Sequence, residues 1–315
     1  MTAAVGSRFV FALCIFAVFV CCSVFKQIDD KELVQSYAAD AAKQNKAVAS
    51  RLCGADRRAA VLYGVFSTAE KVLWRNATRQ QVQCHLNTNV HNTVFAVGAP
   101  RTEREHIILK REAVMYGDIF TLSCTENMNL DKSYTYFKEA LERFPCFDFY
   151  AKVDDDTVWI PDRLSSFIRA VTTSTPVIIG RYEPFQGIND TWFYVKETLL
   201  YGFRDMSWAR HIHGYPLGLL YVLNTAAVKS WVAINPTQLY SHEDLRTFYY
   251  MKIVGAEVVN THAAFHDHMR SASCGEWCEP ITNASMAVHK CKTIDLLVET
   301  FASLCRHETP TANIF

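Results

Sequence analysis

The stretch FDFYAKVDDDT, residues 147–157, decides the fold class of this chain. Its apolar first half predicts a buried strand, which delivers Asp154, Asp155 and Asp156 to its carboxyl end. Three adjacent carboxylates repel one another and are costly to remove from water, so they need a cation nearby. Hard oxygen ligands at this edge of an α/β sheet favour Mn²⁺ or Mg²⁺. A solvated acidic turn is the alternative, which the apolar segments on both sides disfavour.

Length and composition indicate one sizeable domain without a nucleic-acid partner. The chain has 315 residues, of which 50% are hydrophobic and 13% aromatic, and this is enough to bury a large core. Lysine plus arginine and aspartate plus glutamate number 32 each, so no global charge favours nucleic acid or an anionic membrane. The acidic triplet is therefore a local feature.

Strand-like and helix-like segments alternate along the chain from residue 59 onward. Short apolar runs predict strands, and apolar residues at helical spacing predict helices, one of which Pro145 ends. This alternation is typical of an α/β sheet domain. Besides the aspartate strand, the predicted strands lie at residues 59–67, 93–100, 118–123, 176–182, 215–224 and 256–263.

The N-terminal region predicts a membrane anchor. Residues 9–25 carry no charge, and a helix of that length spans about 25 Å, which suits a thin internal membrane. Arg8 precedes the run and a net negative segment follows it, so the positive-inside rule sends the rest of the chain into the lumen. A cleaved signal peptide is the alternative. We expect a cytoplasmic tail (1–8), a transmembrane signal anchor (9–25), a stem (26–58), a lumenal domain (59–305) and a C-terminal tail (306–315).

Two further features agree with a lumenal location. Sequons for N-glycosylation begin at Asn76, Asn189 and Asn283. Eight cysteines lie outside the membrane segment, and an even number in an oxidising compartment predicts disulfides without revealing their pairing.

Short motifs follow one another in a recognisable order over residues 60–305. They are Trp74–Arg79, Glu112 with Tyr116–Ile119, Lys132-Ser133 with Phe137-Lys138, Lys152–Asp156, Gly180-Arg181, Tyr215-Pro216 with Tyr221–Leu223, and Glu243–Leu245. In this order they resemble the inverting β-1,3-glycosyltransferases of the galactosyltransferase and N-acetylglucosaminyltransferase family. Their divergent sequences look most like those of the trypanosomatid branch of such enzymes. The resemblance implies a single GT-A domain, an α/β fold with a Rossmann-like mixed sheet flanked by helices, in a type II protein of the Golgi membrane.

The activity that the resemblance implies is metal-dependent hexosyl transfer. The donor would be UDP-galactose or UDP-N-acetylglucosamine, and the acceptor a glycan hydroxyl on a glycoprotein or glycolipid, with inversion and a β-1,3 linkage. Three departures from the family pattern are Gln80-Gln81 for a Thr-Trp pair, Leu219-Leu220 for small residues and Phe248 for a glycine. They keep open a second hypothesis, an inactive lumenal homologue that binds a partner transferase or a glycan.

The resemblance also implies roles for the acidic residues. Asp156 is expected to bind the metal and Asp154 to bind the metal or the ribose. Asp155 is expected to serve either purpose, and its side chain is expected to point to the opposite face of the strand. Asp244 is expected to take the proton of the acceptor hydroxyl, with Glu243 as the fallback. The alternative for Asp244 is a helix cap.

A histidine near the C-terminus is expected to complete the metal site. His289, before the last apolar helix, resembles the family's late histidine and is preferred. The rival is the denser cluster His262, His266, Asp267 and His268. That cluster with Cys274 and Cys278 also resembles a zinc site, which an oxidising lumen disfavours.

Further residues are candidates for binding the two substrates. Arginine forks suit phosphate, and flat aromatic side chains suit sugar rings. The candidates for the donor's phosphates or uracil are Arg75, Arg79 and Arg181, and those for the acceptor are Trp192, Tyr194, His213 and Tyr215.

Overall fold

The computed structural model describes residues 35–53, 61–84, 92–171, 174–184, 214–235, 242–267, 281–282 and 284–306. Within these ranges, no helix has the length and apolar character needed to cross a membrane. The predicted anchor at 9–25 and the candidates Trp192, Tyr194, His213, His268, Cys274 and Cys278 lie outside the described residues.

The described elements alternate between strands and helices, as the sequence predicts. The strands are β1 (Val61–Phe66), β2 (Thr93–Ala99), β3 (Ile119–Thr125), β4 (Phe149–Asp154), β5 (Val158–Trp159), β6 (Val177–Pro184), β7 (Gly214–Asn224), β8 (Glu257–Asn260), β9 (Phe265–His266) and β10 (Ala287–Val288). The helices are α1 (35–53), α2 (Val72–Cys84), α3 (Glu103–Tyr116), α4 (Lys132–Arg143), α5 (Pro161–Ile168), α6 (Thr225–Ala233), α7 (Glu243–Ile253) and α8 (Ile294–Arg306).

A seven-stranded mixed sheet forms the centre of the domain, in the order β3-β2-β1-β4-β7-β6-β8. Strands β3, β2, β1 and β4 are parallel, β7 runs antiparallel to both β4 and β6, and β8 is parallel to β6. All seven predicted strands are confirmed. The central β1 is buried at every position because helices cover both faces of the sheet.

One close contact in the core requires a glycine. Gly64 lies in the middle of β1, and a Cβ atom there would stand 2.2 Å from the ring of Tyr136. The fully buried Tyr136 reaches across the sheet and donates a hydrogen bond to the carbonyl of Ala151 on β4 at 2.9 Å. The missing side chain at residue 64 therefore lets α4 approach the sheet closely.

Helix α1 extends the domain upstream of the predicted boundary at residue 59. Val48 and Leu52 are buried in the main hydrophobic cluster, and a disulfide joins Cys53 to Cys146 beyond α4. The side-chain amide of Asn45 donates to the carbonyl of Thr121 at 2.7 Å and accepts from its N–H at 3.1 Å. These bonds provide partners for the backbone C=O and N–H of Thr121 on β3, which is an edge strand of the sheet. The region predicted as a stem, 26–58, thus includes a helix of the folded domain.

Among the described residues, the prediction that cysteines form disulfides is confirmed for one pair. Cys53 and Cys146 are bonded, whereas Cys124 and Cys291 are free thiols.

A second, three-stranded sheet brings the C-terminal part of the chain to the aspartate triplet. Its strands lie in the order β5-β10-β9, with β10 antiparallel to β5 and parallel to β9. Strand β5 follows the triplet directly, and the N–H of Cys291 donates to the carbonyl of Asp156 at 3.0 Å. The segment after β10 therefore runs beside the carboxyl end of β4.

Candidate active site

The aspartate triplet divides between two sides of the chain at the end of β4. Asp154 and Asp156 face His289, while Asp155 forms a 2.7 Å ion pair with Lys71 on the other side. This division follows from the alternation of side chains at a strand end. The end of β4 thus presents the carboxylates of Asp154 and Asp156 to His289, while the carboxylate of Asp155 points away from it.

Asp154, Asp156 and His289 form the candidate metal site. One ligand atom from each lies within 4.8 Å of the others, and His289 Nε2 lies 3.1 Å from Asp156 Oδ1 and 3.5 Å from Asp154 Oδ2. The other ring nitrogen, Nδ1, lies 2.9 Å from Asp267 Oδ1. A carboxylate on the second nitrogen fixes the orientation of a metal-binding imidazole. The two carboxylates and one imidazole fit a divalent cation of the Mn²⁺ or Mg²⁺ class.

The electrostatics of this site favour a bound positive charge. Burial lowers the pKa of His289, but hydrogen bonds with Asp154, Asp156 and Asp267 outweigh burial and raise it to about 10. Burial likewise opposes ionisation of Asp156, yet its bond to His289 holds the pKa of that carboxyl well below the usual range. The three carboxylates therefore hold a proton on the imidazole, and a divalent cation would take the place of that proton. Each carboxylate also pairs with a lysine: Asp154 with Lys152, Asp156 with Lys292 and Asp267 with Lys290.

The rival histidine cluster does not form a metal site among the described residues. His266 is buried and bonds to the hydroxyl of Ser285 at 2.6 Å, and His262 lies 3.4 Å from the guanidinium of Arg181. Asp267 from this cluster instead supports His289. The preference for His289 over the cluster agrees with the observed geometry.

The acidic pair of α7 lies next to this site. Helix α7 begins at Glu243, and its cap residue is His242, so Asp244 lies inside the first turn instead of capping the helix. Asp244 Oδ1 accepts a hydrogen bond from the N–H of Leu245 at 2.8 Å. Its Oδ2 would lie 3.5 Å from a Cβ placed on Gly218. The lack of a side chain at residue 218 keeps space open at this oxygen.

Asp244 is poised to accept a proton near neutral pH. Burial, and then the negative charge of Glu243, raise the pKa of Asp244 to about 7. Lys152 and the bond from Leu245 oppose this rise. A carboxyl group with a pKa near the working pH is well suited to general base catalysis.

Glu243 and Lys152 connect the acidic pair to the metal site. Lys152 is only 1% exposed, and its ammonium group lies 2.7 Å from Asp154 and 3.1 Å from Glu243. Glu243 also accepts hydrogen bonds from Ser133 on α4, at 2.7 Å, and from Tyr221 on β7. The family motifs contain Lys152, Ser133 and Tyr221, but sequence reasoning gave them no role because their partners lie far away along the chain.

Arg75 and Arg79, which the sequence predicts to bind the donor, form buried ion pairs in the structure. Arg75 is fully buried, bonds to Glu112 at 2.6 Å and donates to the carbonyls of Thr68 and Ala69, just after β1. Arg79 pairs with Asp118 at 2.7 Å and with Glu112 at 3.2 Å, and its guanidinium stacks on Tyr116. These contacts give both arginines a role in the fold, and their role toward the donor stays a prediction.

Of the remaining candidates, two lie in β6 and β7. Arg181 is buried and donates to the carbonyl of Phe265 at 3.0 Å, which ties β6 to the small sheet. Tyr215 is half-buried on β7, opposite Glu183. Asn76 lies half-buried on α2, where its Oδ1 accepts from Arg79 at 2.8 Å. The sequons at Asn189 and Asn283 lie outside the described residues.

Three of the residues that depart from the family pattern pack in the hydrophobic core. Leu219 and Leu220 are fully buried there, and Phe248 packs against Tyr182 with ring centroids 5.4 Å apart.

A mixed sheet with two carboxylates and a histidine at the end of β4 agrees with the GT-A-like fold that the resemblance of the sequence implies. The chain belongs to the galactosyltransferase family, whose sequence profile matches residues 71–261. This match contains the aspartate triplet and the acidic pair of α7.

Similar proteins agree with this family. The beta-1,3-galactosyltransferase pvg3 of Schizosaccharomyces pombe is 31% identical over 153 residues, which cover 47% of this chain and 39% of the relative. The probable beta-1,3-galactosyltransferase 13 of Arabidopsis thaliana is 26% identical over 202 residues, 62% of this chain and 54% of that protein. The chain thus spans about half the length of the curated relatives it matches. Among solved structures, the galactosyltransferase LgtC is 11% identical with a TM-score of 0.44, covering 80% of this chain and 97% of its own.

Proposed function

We propose that this chain transfers galactose from UDP-galactose to a glycan hydroxyl with inversion, forming a β-1,3 linkage. UDP-N-acetylglucosamine is the second candidate donor. The observation that carries the proposal is the pairing of a metal-type site, Asp154 with Asp156 and His289, with the raised pKa of Asp244 beside it. The family match and the names of the relatives support the choice of sugar.

Asp154, Asp156 and His289 would hold the divalent cation, Mn²⁺ or Mg²⁺. Bound there, the ion supplies positive charge for the diphosphate of the donor. Lys292, an exposed lysine that pairs with Asp156, offers further positive charge for the phosphates. The departing UDP therefore leaves from an edge of the sheet where basic groups offset its charge.

Asp244 would act as the base on the acceptor. Its Oδ2 takes the proton of the acceptor hydroxyl as the oxygen forms a bond to the anomeric carbon. The bond between the anomeric carbon and the phosphate oxygen breaks at the same time, and UDP keeps that electron pair. Attack from the face opposite the diphosphate converts an α-linked donor into a β-linked product.

We also propose a type II location in the Golgi membrane, with residues 9–25 as the anchor and the domain in the lumen. The uncharged apolar run, the sequons and the Cys53–Cys146 disulfide support this proposal. Alkaline carbonate extraction of the full chain, compared with a variant carrying two charged residues in 9–25, tests the anchor. Release of the parent chain into the soluble fraction would contradict it.

The activity is tested with the full chain in detergent and a panel of nucleotide sugars. We expect UDP release from one UDP-sugar in the presence of Mn²⁺, loss of that release with EDTA, and the same loss in Asp156→Asn. Asp162→Asn on α5 is the matched control and should keep the parent rate. Release that is equal with and without EDTA would contradict the metal site.

The role of the base is tested with Asp244→Asn. We expect this variant to bind UDP and Mn²⁺ as the parent does and to lose transfer by about two orders of magnitude or more. Normal transfer would remove Asp244 from the role. A parent chain that binds UDP without releasing it from any sugar, with a panel of glycan acceptors present, would favour the inactive homologue.

A further inference from the structure

Glu243 is held so firmly that it is unsuited to be the base itself. Its Oε1 accepts hydrogen bonds from Ser133, at 2.7 Å, and from Tyr221. Its Oε2 lies 3.1 Å from the ammonium group of Lys152. The residue is only 6% exposed, so both oxygens are committed to buried partners and neither is placed to meet an acceptor hydroxyl.

The partners of Glu243 come from three elements of the fold. A hydroxyl from α4 and a phenol from β7 donate hydrogen bonds to it, and an ammonium group from β4 pairs with it. Three elements thus fix one negative charge at the residue that directly precedes Asp244.

We propose that Glu243 is a positioning residue whose fixed negative charge sets the strength of Asp244 as a base, while Lys152 limits the effect. The proposal rests on the transferase function proposed above. It assigns Glu243 a role different from that of a fallback base.

The direction of the effect follows from the charges that face the pair. A negative neighbour makes it harder for Asp244 to lose its proton, so its pKa rises, and a positive neighbour has the opposite effect. A cation bound at Asp154 would offset the contribution of that carboxylate but not that of Glu243. The charged or titratable groups that face the pair are Lys152 and Asp154 on β4, Tyr221 on β7, and Arg246 on α7 with its partner Asp131.

The test is the pH profile of kcat at saturating Mn²⁺ and donor. In the parent chain, activity should fall as Asp244 becomes protonated; its pKa is about 7 without a cation, and bound Mn²⁺ should place this acidic limb somewhat below pH 7. Glu243→Gln removes the negative charge, so this acidic limb should move down by about one pH unit. Because a weaker base transfers the proton less efficiently, the plateau kcat should fall several-fold while the KM for donor stays within about twofold.

Lys152→Met provides the opposite perturbation. Removing the positive charge should move the acidic limb to higher pH. Ser133→Ala, which removes one hydrogen bond and keeps the charge of Glu243, is the control and should move the limb by less than about 0.3 unit. Damage to the fold does not produce shifts of opposite sign, so the pair of variants separates the proposal from a structural role.

The possible outcomes are distinct. A limb that does not move in Glu243→Gln, or that moves in the same direction as in Lys152→Met, overturns the proposal. If Glu243→Gln does not fold, Lys152→Met and Ser133→Ala decide it alone: an upward shift only in Lys152→Met supports it, and any other result overturns it. A parent chain without transfer, or an active Asp244→Asn, overturns the proposed function and this inference with it.

Discussion

Replacing Glu112 with glutamine tests whether the arginines of the first family motif serve the fold or the donor. In the structure, Glu112 lies 2.6 Å from Arg75 and 3.2 Å from Arg79, and Asp118 is the second carboxylate of the group. The two positive and two negative charges sum to zero. Glu112→Gln keeps the size of the side chain but leaves one positive charge uncompensated beside Arg75, which is fully buried.

The expected loss of stability is large. Removing one partner of a buried ion pair typically costs about 3–5 kcal/mol because the remaining charge stays away from water. A typical domain has a free energy of unfolding of about 5–15 kcal/mol, so this change removes about a fifth of it or more. The hydrogen bonds from Arg75 to Ser67 and to the carbonyl of Ala69 do not involve Glu112 and should persist.

Two measurements on the same variant separate the two roles. Urea unfolding reports on stability, and titration with UDP in the presence of Mn²⁺ reports on donor binding. We expect a lower free energy of unfolding with an unchanged Kd for UDP. Glu103→Gln, an exposed carboxylate in the first turn of the same helix, is the matched control and should lose less than about 1 kcal/mol. A stable Glu112→Gln variant whose Kd for UDP rises tenfold would refute the structural role and restore these arginines to the donor site.

Three further predictions follow from single contacts. Replacing both Cys53 and Cys146 with alanine opens a loop of 93 residues. Without reductant, the free energy of unfolding of this variant should be about 4–5 kcal/mol below that of the parent chain. As a check, adding reductant to the parent chain should lower its free energy of unfolding by the same amount. Asp267→Asn should weaken Mn²⁺ binding about 10- to 100-fold in calorimetry, because Asp267 orients His289; an unchanged affinity would show that the imidazole is fixed by other contacts. Gly64→Ala places a Cβ against the ring of Tyr136 and should lower the free energy of unfolding by about 1–3 kcal/mol in urea; a neutral effect would show that α4 shifts freely.

Most of the fold could be predicted from local patterns. The inner strands β1 and β4 are buried on both faces, and their apolar runs are visible in the sequence. The two-residue strands β5, β9 and β10 could not be found in this way because so short a run has no period. Helix α1 was assigned to a stem because its alanine-rich surface conceals the few buried positions, such as Val48 and Leu52, that pack on the core.

The assignment of the arginines shows why roles are harder to predict than elements. Arg75 and Arg79 occur in a family motif, and an arginine fork suits a phosphate and a carboxylate equally well. Only the approach of α3 to α2 shows that carboxylates occupy both guanidinium groups. The residue type was therefore informative about the chemistry of the partner but not about its identity.

The sequence by itself determined that three carboxylates end a buried strand, and from them it predicted a hard cation; the family resemblance added a late histidine. The tertiary structure decided which atoms meet. It turned Asp155 away, brought Asp267 behind His289 and connected Ser133 to Glu243 across 110 residues of chain. The physical reason is that the pattern of burial is set by neighbours along the chain, whereas ion pairs and hydrogen bonds form only where distant elements cross. The raised pKa of Asp244 depends on such crossings.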